Sequence, residues 1–250
     1  MQLKKYNLNS SNLLISIKDL KEISNEVIEL INILDLKDPS KGSIGSWSLG
    51  EIEKAVKLYK SDIIISATMG DIFDNNEFLK QLEKFDKLNL NFIKFGLLSH
   101  SDELLFEKIK LISLRNYITD LVCVIFVDRE NNLKLISKKI SFFKDSGISC
   151  ILLDTFEKEN GDIFDFCQIK SLKNFILNCK ERNLKIGMAG GIKENQIPNM
   201  LGISPNIIGL RSAVCENKKR CSSINMQKLK KISQHFNVFN NKAKDKAGAW

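Results

Sequence analysis

The 250-residue chain contains no apolar run of the roughly 18 to 20 residues that a membrane-spanning helix needs. Its first dozen residues are polar and lack the apolar core of a signal peptide. Only three prolines occur, and no stretch rich in Gly, Pro or Ser divides the chain. We therefore expect a cytoplasmic protein with one domain over residues 1–239, followed by a polar, disordered tail over residues 240–250.

Metal-ligand patterns are also missing from the sequence. Cys215 and Cys221 have no histidine near them, and their separation does not match a zinc site. Cys123 and Cys150 fall in apolar runs, where thiols behave as small hydrophobic side chains. The two histidines lie far apart in sequence, at positions 100 and 235. The sequence predicts neither a metal nor an organic cofactor.

The chain carries a formal charge of +8, which by itself is compatible with nucleic acid, a membrane surface or anionic small molecules. Its lysines are spread over helical faces, and no basic segment interleaved with aromatic residues is present. We therefore expect a small anionic substrate and no nucleic-acid or membrane partner. The sequence leaves the oligomeric state open, a homo-oligomer included.

Short apolar runs alternate with segments of helical periodicity along the chain. The runs predict strands at residues 13–16, 31–36, 63–67, 92–95, 121–126, 150–154, 185–189 and 206–210. The periodic segments predict helices at residues 18–30, 49–59, 75–88, 102–116, 133–147, 168–182, 193–201 and 225–236. This alternation predicts a (β/α)8 TIM barrel, for which about 250 residues is typical. A doubly wound open sheet is the main alternative, but no GxGxxG motif follows the first strand.

Charged residues stand where the predicted strands end, which in a barrel is the catalytic face. Asp35 and Lys37 share one face of strand 2, Lys94 lies near the end of strand 4, and Asp154 ends strand 6 ahead of Lys158. Neighbouring ammonium groups disfavour each other's charge, so one amine can be neutral and attack a carbonyl carbon. The carboxylates would orient the amines and carry protons. The alternative for residues 35–45 is a surface loop with ordinary ion pairs.

A candidate phosphate site follows strands 7 and 8. Gly190 and Gly191 let backbone N–H groups approach an anion, and Arg211 can contact two phosphate oxygens at once, with Ser212 beside it. Loops after strands 7 and 8 are the usual phosphate-binding place in such barrels. The alternative is an ordinary glycine turn.

Five segments together resemble the (5-formylfuran-3-yl)methyl phosphate synthase family, also called 4-(hydroxymethyl)-2-furancarboxaldehyde-phosphate synthase. Residues 35–45, DLKDPSKGSIG, resemble the family's DVKNPKEGSLG segment, and residues 66–71 match SATxGD. Residues 93–97 are similar to IKVGL, residues 153–158 to LDTxxK, and residues 209–215 to GVRGAAC. The likeness runs in register from about residue 13 to residue 224.

The resemblance implies a TIM-barrel lyase of methanofuran biosynthesis that condenses two molecules of glyceraldehyde 3-phosphate, with loss of phosphate and water. It implies Lys37 as the Schiff-base lysine and Lys94 as a proton acceptor, with Lys158, Asp35 and Asp154 in support. A class I aldolase for another phosphorylated sugar shares every one of these residues. A barrel that binds phosphorylated metabolites without catalysis is a further alternative.

The chain departs from the family pattern near the expected mouth of the barrel. Gly191 stands where the family usually has serine, and Ser212 where it has glycine. Residues 125–128, IFVD, replace GYAD, and residues 218–220, KKR, replace GDR. These changes concern the substrate contacts more than the lysine chemistry.

Overall fold

The computed structural model describes residues 10–72, 74–96, 102–129 and 133–247, with side chains except at 102–105 and 242–247. Eight parallel strands close into a barrel in sequence order. They are β1 (Asn12–Ile17), β2 (Ile33–Leu36), β3 (Ile64–Thr68), β4 (Phe92–Gly96), β5 (Asp120–Phe126), β6 (Ile148–Asp154), β7 (Lys185–Met188) and β8 (Ile207–Leu210). The predicted barrel is confirmed.

Helices surround the barrel within the described residues. They are α1 (Asn25–Leu30), α2 (Leu49–Tyr59), α3 (Asn75–Asp86), α4 (Asp102–Ser113), α5 (Leu133–Lys138), α6 (Ile140–Asp145), α7 (Ile163–Phe166), α8 (Ile169–Glu181), α9 (Ile197–Gly202) and α10 (Met226–Ala247). Ser48 begins α2 as its N-cap and exchanges hydrogen bonds with Glu51, so the backbone donors of the first turn are satisfied. No helix in the described part of the chain is long and apolar enough to cross a membrane.

Three helix predictions differ from the structure. The helix predicted at 18–30 is a 3₁₀ turn followed by α1, because Ser24 caps α1 by accepting a hydrogen bond from the Val27 N–H. The helix predicted at 133–147 is divided at Lys139, whose backbone angles are not helical. Helix α10 continues to Ala247, so helical backbone reaches into the segment 240–250 that the sequence predicts to be disordered.

Strand residues alternate between two buried clusters. Leu34, Leu36 and their equivalents face the helices and form the larger outer core. The other face of each strand points into the barrel, where Ile33, Phe92 and Leu152 belong to a smaller inner cluster. Because side chains alternate along a strand, Asp35 follows Ile33 on the inner face. The barrel interior is therefore apolar at its base and charged near its C-terminal mouth.

The segment between β2 and α2, residues 37–48 (the β2 loop), folds over the mouth of the barrel. Its Ile44 is buried in the inner cluster and lies so close to Gly96 that a Cβ there would be 2.6 Å from Ile44 Cδ1. The Gly45 carbonyl accepts hydrogen bonds from the Asp38 N–H at 2.9 Å and from Thr68 Oγ1 at 2.7 Å. These contacts close the loop into a compact turn beside Lys37.

The packing of this turn requires glycine at position 45. A Cβ on Gly45 would collide with the Asp38 carbonyl and lie 2.7 Å from Lys41 Cβ, so the backbone would have to move. We expect Gly45→Ala to lower the free energy of unfolding by about 1–3 kcal/mol, the usual cost of overpacking. Urea unfolding measures this change.

Gly50 provides the matched control, because it lies in α2 and a Cβ there would meet nothing within 4 Å. Gly50→Ala should leave the unfolding free energy unchanged or raise it by up to about 1 kcal/mol. Equal effects of the two substitutions would contradict the tight turn at Gly45.

Candidate active site

A fully buried ion pair joins β2 and β4 inside the barrel. Lys94 Nζ lies 2.6 Å from Asp35 Oδ2, and the Ser16 hydroxyl on β1 donates to the same oxygen at 2.8 Å. Asp35 has no exposed surface and Lys94 is 4% exposed. The other carboxylate oxygen of Asp35 has no hydrogen-bond partner among the described residues. The pair is thus held by three strands and screened from bulk water.

A second group of charges lies between β2 and β6. Lys37 Nζ is 3.9 Å from Asp154 Oδ2, while the Lys158 ammonium contacts the other oxygen of Asp154. Lys158 also donates to the Thr155 carbonyl, and the Thr155 N–H donates to Asp154 at 2.8 Å. The three lysines predicted from the sequence therefore come together at one mouth of the barrel. Asp35 lies beside Lys94, and Asp154 lies beside both Lys37 and Lys158.

Burial lowers the pKa of the Lys37 ammonium to about 8, and the charges of Lys158 and Lys94 act in the same direction. Asp154 and Asp35 oppose this shift without cancelling it. Burial alone would raise the pKa of Asp154, but the ammonium groups of Lys158 and Lys37 hold it below its ordinary value. The site thus pairs an ionised carboxylate with an amine that is neutral in part near pH 8.

Asp71 lies in the segment after β3, and the charge of Lys37 affects the pKa of its carboxylate. Burial raises its pKa, and the positive charge of Lys37 lowers it in part. The strand-end position of Asp71 was the available signal in the sequence, but nothing there showed that its carboxylate would approach Lys37. Asp71 lies against the β2 loop, which begins with Lys37, since Asp71 Oδ2 would be 3.3 Å from a Cβ on Gly42.

Gly190 and Gly191 form a turn after β7 with positive φ angles of 96° and 65°. A Cβ on Gly190 would lie 2.9 Å from the Thr155 nitrogen, so glycine lets this turn pack directly against the segment after β6. The backbone N–H groups of Gly190, Gly191 and Ser212 have no acceptor in the described part of the chain. These donors line the same cavity as Lys37, Lys94 and Lys158.

Arg211, an element of the predicted phosphate site, is bonded within the protein. Its guanidinium contacts both carboxylate oxygens of Glu22, at 2.6 and 3.0 Å. It also donates to the carbonyls of Ser16, Arg220 and Ser222. All of its N–H donors are therefore used within the protein, so the expected contact of this side chain with two phosphate oxygens would require some of these bonds to break, and it stays a prediction. The sequence contained no signal for the pairing, because Glu22 is 189 residues away.

The cavity at the mouth has a volume of about 1390 Å³ and extends from Lys37 to His235 on α10. Basic side chains dominate its outer wall, which includes Lys193, Lys218 and Lys219. Within the described residues no group of His, Cys, Asp and Glu side chains could hold a metal ion, and His100 lies outside those residues. The cavity can therefore attract an anion with several charges.

The Arg211–Glu22 pair is nearly buried, with side-chain exposures of 9% and 6%. We expect Arg211→Gln to reduce the unfolding free energy by about 3–5 kcal/mol, because it leaves the Glu22 carboxylate buried without its cation. The double variant Glu22→Gln/Arg211→Gln should recover a large part of that loss. Denaturant unfolding of the three proteins gives the comparison.

Lys230 is the control, because it makes a 2.6 Å ion pair with Glu26 in which both side chains are about half exposed. Lys230→Gln should change the unfolding free energy by less than about 1 kcal/mol. If Arg211→Gln has an effect as small as this, the guanidinium is not the internal tie described above.

A family model described as 4-HFC-P synthase matches residues 13–233 of this chain. The (5-formylfuran-3-yl)methyl phosphate synthase of Methanococcus aeolicus is 27% identical over 212 residues, which is 81% of this chain and 89% of the relative. The protein of the same name from Methanocaldococcus jannaschii is 27% identical over 217 residues, covering 83% of this chain and 92% of the relative.

Solved structures with a similar fold include phosphoribosyl anthranilate isomerase from Thermus thermophilus, with a TM-score of 0.61 and 12% identity over 91% of this chain and 98% of the other. A 3-hexulose-6-phosphate synthase gives a TM-score of 0.60 and 16% identity over 89% of this chain and 98% of the other. At these identities the likeness concerns the barrel alone. The family model covers nearly the whole barrel, and the resemblance expected from the sequence motifs is confirmed: the chain belongs to the 4-HFC-P synthase family.

Proposed function

We propose that this protein is a (5-formylfuran-3-yl)methyl phosphate synthase that condenses two molecules of glyceraldehyde 3-phosphate through a Schiff base on Lys37, for the furan of methanofuran. Family membership supports the product, because its relatives carry that name. The observation that carries the chemistry is Lys37 itself. Its amine is buried at the mouth of the barrel and its pKa is lowered to about 8.

The proposed reaction begins when the neutral amine of Lys37 attacks the aldehyde carbon of one triose phosphate. Asp154, 3.9 Å from Lys37 Nζ and in contact with Lys158, is placed to exchange the protons that convert the adduct to an iminium with loss of water. The iminium withdraws electrons from the adjacent carbon. A base can then remove a proton from that carbon, and the resulting enamine attacks the second aldehyde.

Lys94 is the proposed proton acceptor for this carbon, with Asp35 in support: the Lys94 ammonium first passes a proton to Asp35 Oδ2, and the neutral amine then takes the proton from carbon. Lys94 lines the same cavity as Lys37, and its 2.6 Å contact with Asp35 lies on the inner face of the barrel. The charge of Lys94 acts on the Lys37 amine, so the two side chains are close enough to serve one substrate. Because the pair shares a hydrogen bond, a proton taken up by one member can pass to the other.

Backbone donors of Gly190, Gly191 and Ser212 are the proposed contacts for a substrate phosphate. These residues line the cavity, and the glycine turn lets an anion approach the backbone closely. Arg211 contributes by tying the loop after β8 to β1, since its side chain is bonded to Glu22 and to the Ser16 carbonyl. A fixed phosphate would orient each triose and make carbon–carbon bond formation effectively unimolecular.

Incubation with glyceraldehyde 3-phosphate should yield (5-formylfuran-3-yl)methyl phosphate, identified by its mass, together with inorganic phosphate. Borohydride added during turnover should trap a covalent adduct on Lys37, located by peptide mapping. Lys37→Arg should abolish both the product and the adduct, whereas Lys41→Arg, at an exposed position in the same loop, should change neither.

The outcomes separate the candidate functions. An adduct on Lys37 with a different sugar phosphate as product would identify an aldolase of another substrate. Binding of triose phosphate with neither adduct nor product would identify a barrel without catalysis. An adduct found only on Lys94 or Lys158 would reassign the nucleophile.

Lys94→Met should lower turnover by about two to four orders of magnitude, the usual contribution of a general acid–base group. It also leaves Asp35 buried without its cation, so loss of stability has to be separated from loss of catalysis. We therefore expect Lys94→Met/Asp35→Asn to recover stability in thermal unfolding and remain slow in the product assay.

Lys60→Met is the control for this prediction, because Lys60 is a partly buried lysine at the end of α2, away from the mouth. Its turnover should equal that of the wild type. A folded Lys94→Met protein with wild-type turnover would remove Lys94 from the reaction.

A further inference from the structure

The segment after β6, residues 155–162 (the β6 loop), is attached to the segment after β5 at its backbone by the Asp128 carboxylate, beside an ion pair between Arg129 and Glu157. Asp128 accepts hydrogen bonds from the Phe156 N–H at 2.7 and 2.9 Å and from the Glu157 N–H at 2.7 Å. Hydrogen bonds from backbone N–H groups to an ionised carboxylate are roughly twice as strong as neutral ones. Two consecutive residues of the β6 loop are therefore fixed at their backbone, immediately before Lys158.

The side chain of Phe156 adds apolar and polar contacts to this attachment. Its ring meets the Phe126 ring edge to face at 5.3 Å, and the Arg129 guanidinium lies 4.2 Å from its centre. The Phe156 carbonyl accepts a hydrogen bond from the Ser43 hydroxyl of the β2 loop at 2.6 Å. Residue 156 thus joins the β6 loop to the segments after β2 and β5.

Lys158 depends on the path of this backbone. Its ammonium turns back to contact the Thr155 carbonyl and the Asp154 carboxylate, and lies 3.3 Å from Thr155 Oγ1. Two of these acceptors belong to the first residue of the β6 loop. A change in the loop at residues 156 and 157 would therefore move Lys158 relative to Asp154.

We propose that Asp128 is a positioning residue, which fixes residues 156 and 157 of the β6 loop and thereby holds Lys158 against Asp154. Its catalytic importance rests on the function proposed above, whereas the placement of Lys158 rests on the contacts just described. Asp128 does not line the cavity with Lys37. It acts on the site through the loop.

The placement of Lys158 has a measurable consequence at Lys37. Besides burial, the charges that act most on the pKa of Lys37 are those of Asp154, Lys158, Lys94 and Asp35. The Asp71 carboxylate also interacts electrostatically with Lys37. If Lys158 moves away, Lys37 loses a repelling neighbour and faces an Asp154 carboxylate that is no longer neutralised. Water also reaches the Lys37 amine more easily once the Lys158 side chain has moved. All three changes favour the charged amine, so the pKa of Lys37 rises.

The test measures the reactivity of Lys37 without any triose phosphate. A small neutral acylating reagent is added at a series of pH values, and the fraction of Lys37 modified is read by peptide mass spectrometry. In the wild type the rate should reach half its maximum near pH 8. Asp128→Asn should raise this midpoint by roughly 0.5 to 1 pH unit, in the range that a neighbouring charge produces.

Four further variants make the result specific. Lys158→Met should raise the midpoint, and Asp128→Asn/Lys158→Met should raise it no further, because both act through the same ammonium. Glu159→Gln removes a carboxylate with the same charge as Asp128, but from the β6 loop itself, next to Lys158. This variant should leave the midpoint unchanged. Asp128→Glu keeps the charge but displaces the carboxylate by one methylene, so it should raise the midpoint by less than Asp128→Asn. It replaces Asp128→Asn in the test if that variant does not fold.

A midpoint that stays at the wild-type value in the folded Asp128 variants would overturn the proposal, as would a shift that adds in full to that of Lys158→Met. A protein that makes no furan phosphate yet shows the shared shift would disprove the proposed function and leave the positioning role of Asp128 intact.

Discussion

The structure of the mouth depends on holding five charged side chains at the end of a closed barrel, of which Asp35, Lys94 and Asp154 are buried and Lys37 and Lys158 partly buried. A buried charge is strongly unfavourable unless another charge or a set of hydrogen bonds compensates it. Here Lys94 is compensated by Asp35, and Lys158 by Asp154. Lys37 is left with the weakest compensation, at 3.9 Å from Asp154. Burial of this weakly compensated amine lowers its pKa to about 8.

The loops around the mouth act mainly by holding these groups in place. Thr68 and Gly45 close the β2 loop beside Lys37. Asp128 fixes the β6 loop, and Arg211 ties the segment after β8 to Glu22. Much of the polar surface near the mouth is thus used for internal contacts. In the part of the chain that the structure describes, the backbone N–H groups of Gly190 and Gly191 have no such internal contact.

The barrel follows directly from the sequence, and the reason is the alternation of side chains along a strand. Ile33 and Asp35 face inward while Leu34 and Leu36 face the helices, so a continuous apolar run still encodes two separate surfaces. The same period of two puts Asp35 and Lys37 on one side of the chain, and this much can be predicted from their spacing alone. Local capping was harder to foresee, since Ser24 begins α1 six residues later than the predicted helix through a single hydrogen bond.

The sequence by itself determined the barrel, the family and the set of lysines and carboxylates at the strand ends. These depend on local periodicity and on short motifs. The tertiary structure alone decided the partners of those residues, because most of the pairs join segments far apart in the chain. Lys94 meets Asp35 across 59 residues, and Arg211 meets Glu22 rather than a ligand. Burial, and competition among such pairs, decide which hydrogen-bond donors remain available to a substrate. Both are fixed only when the barrel closes.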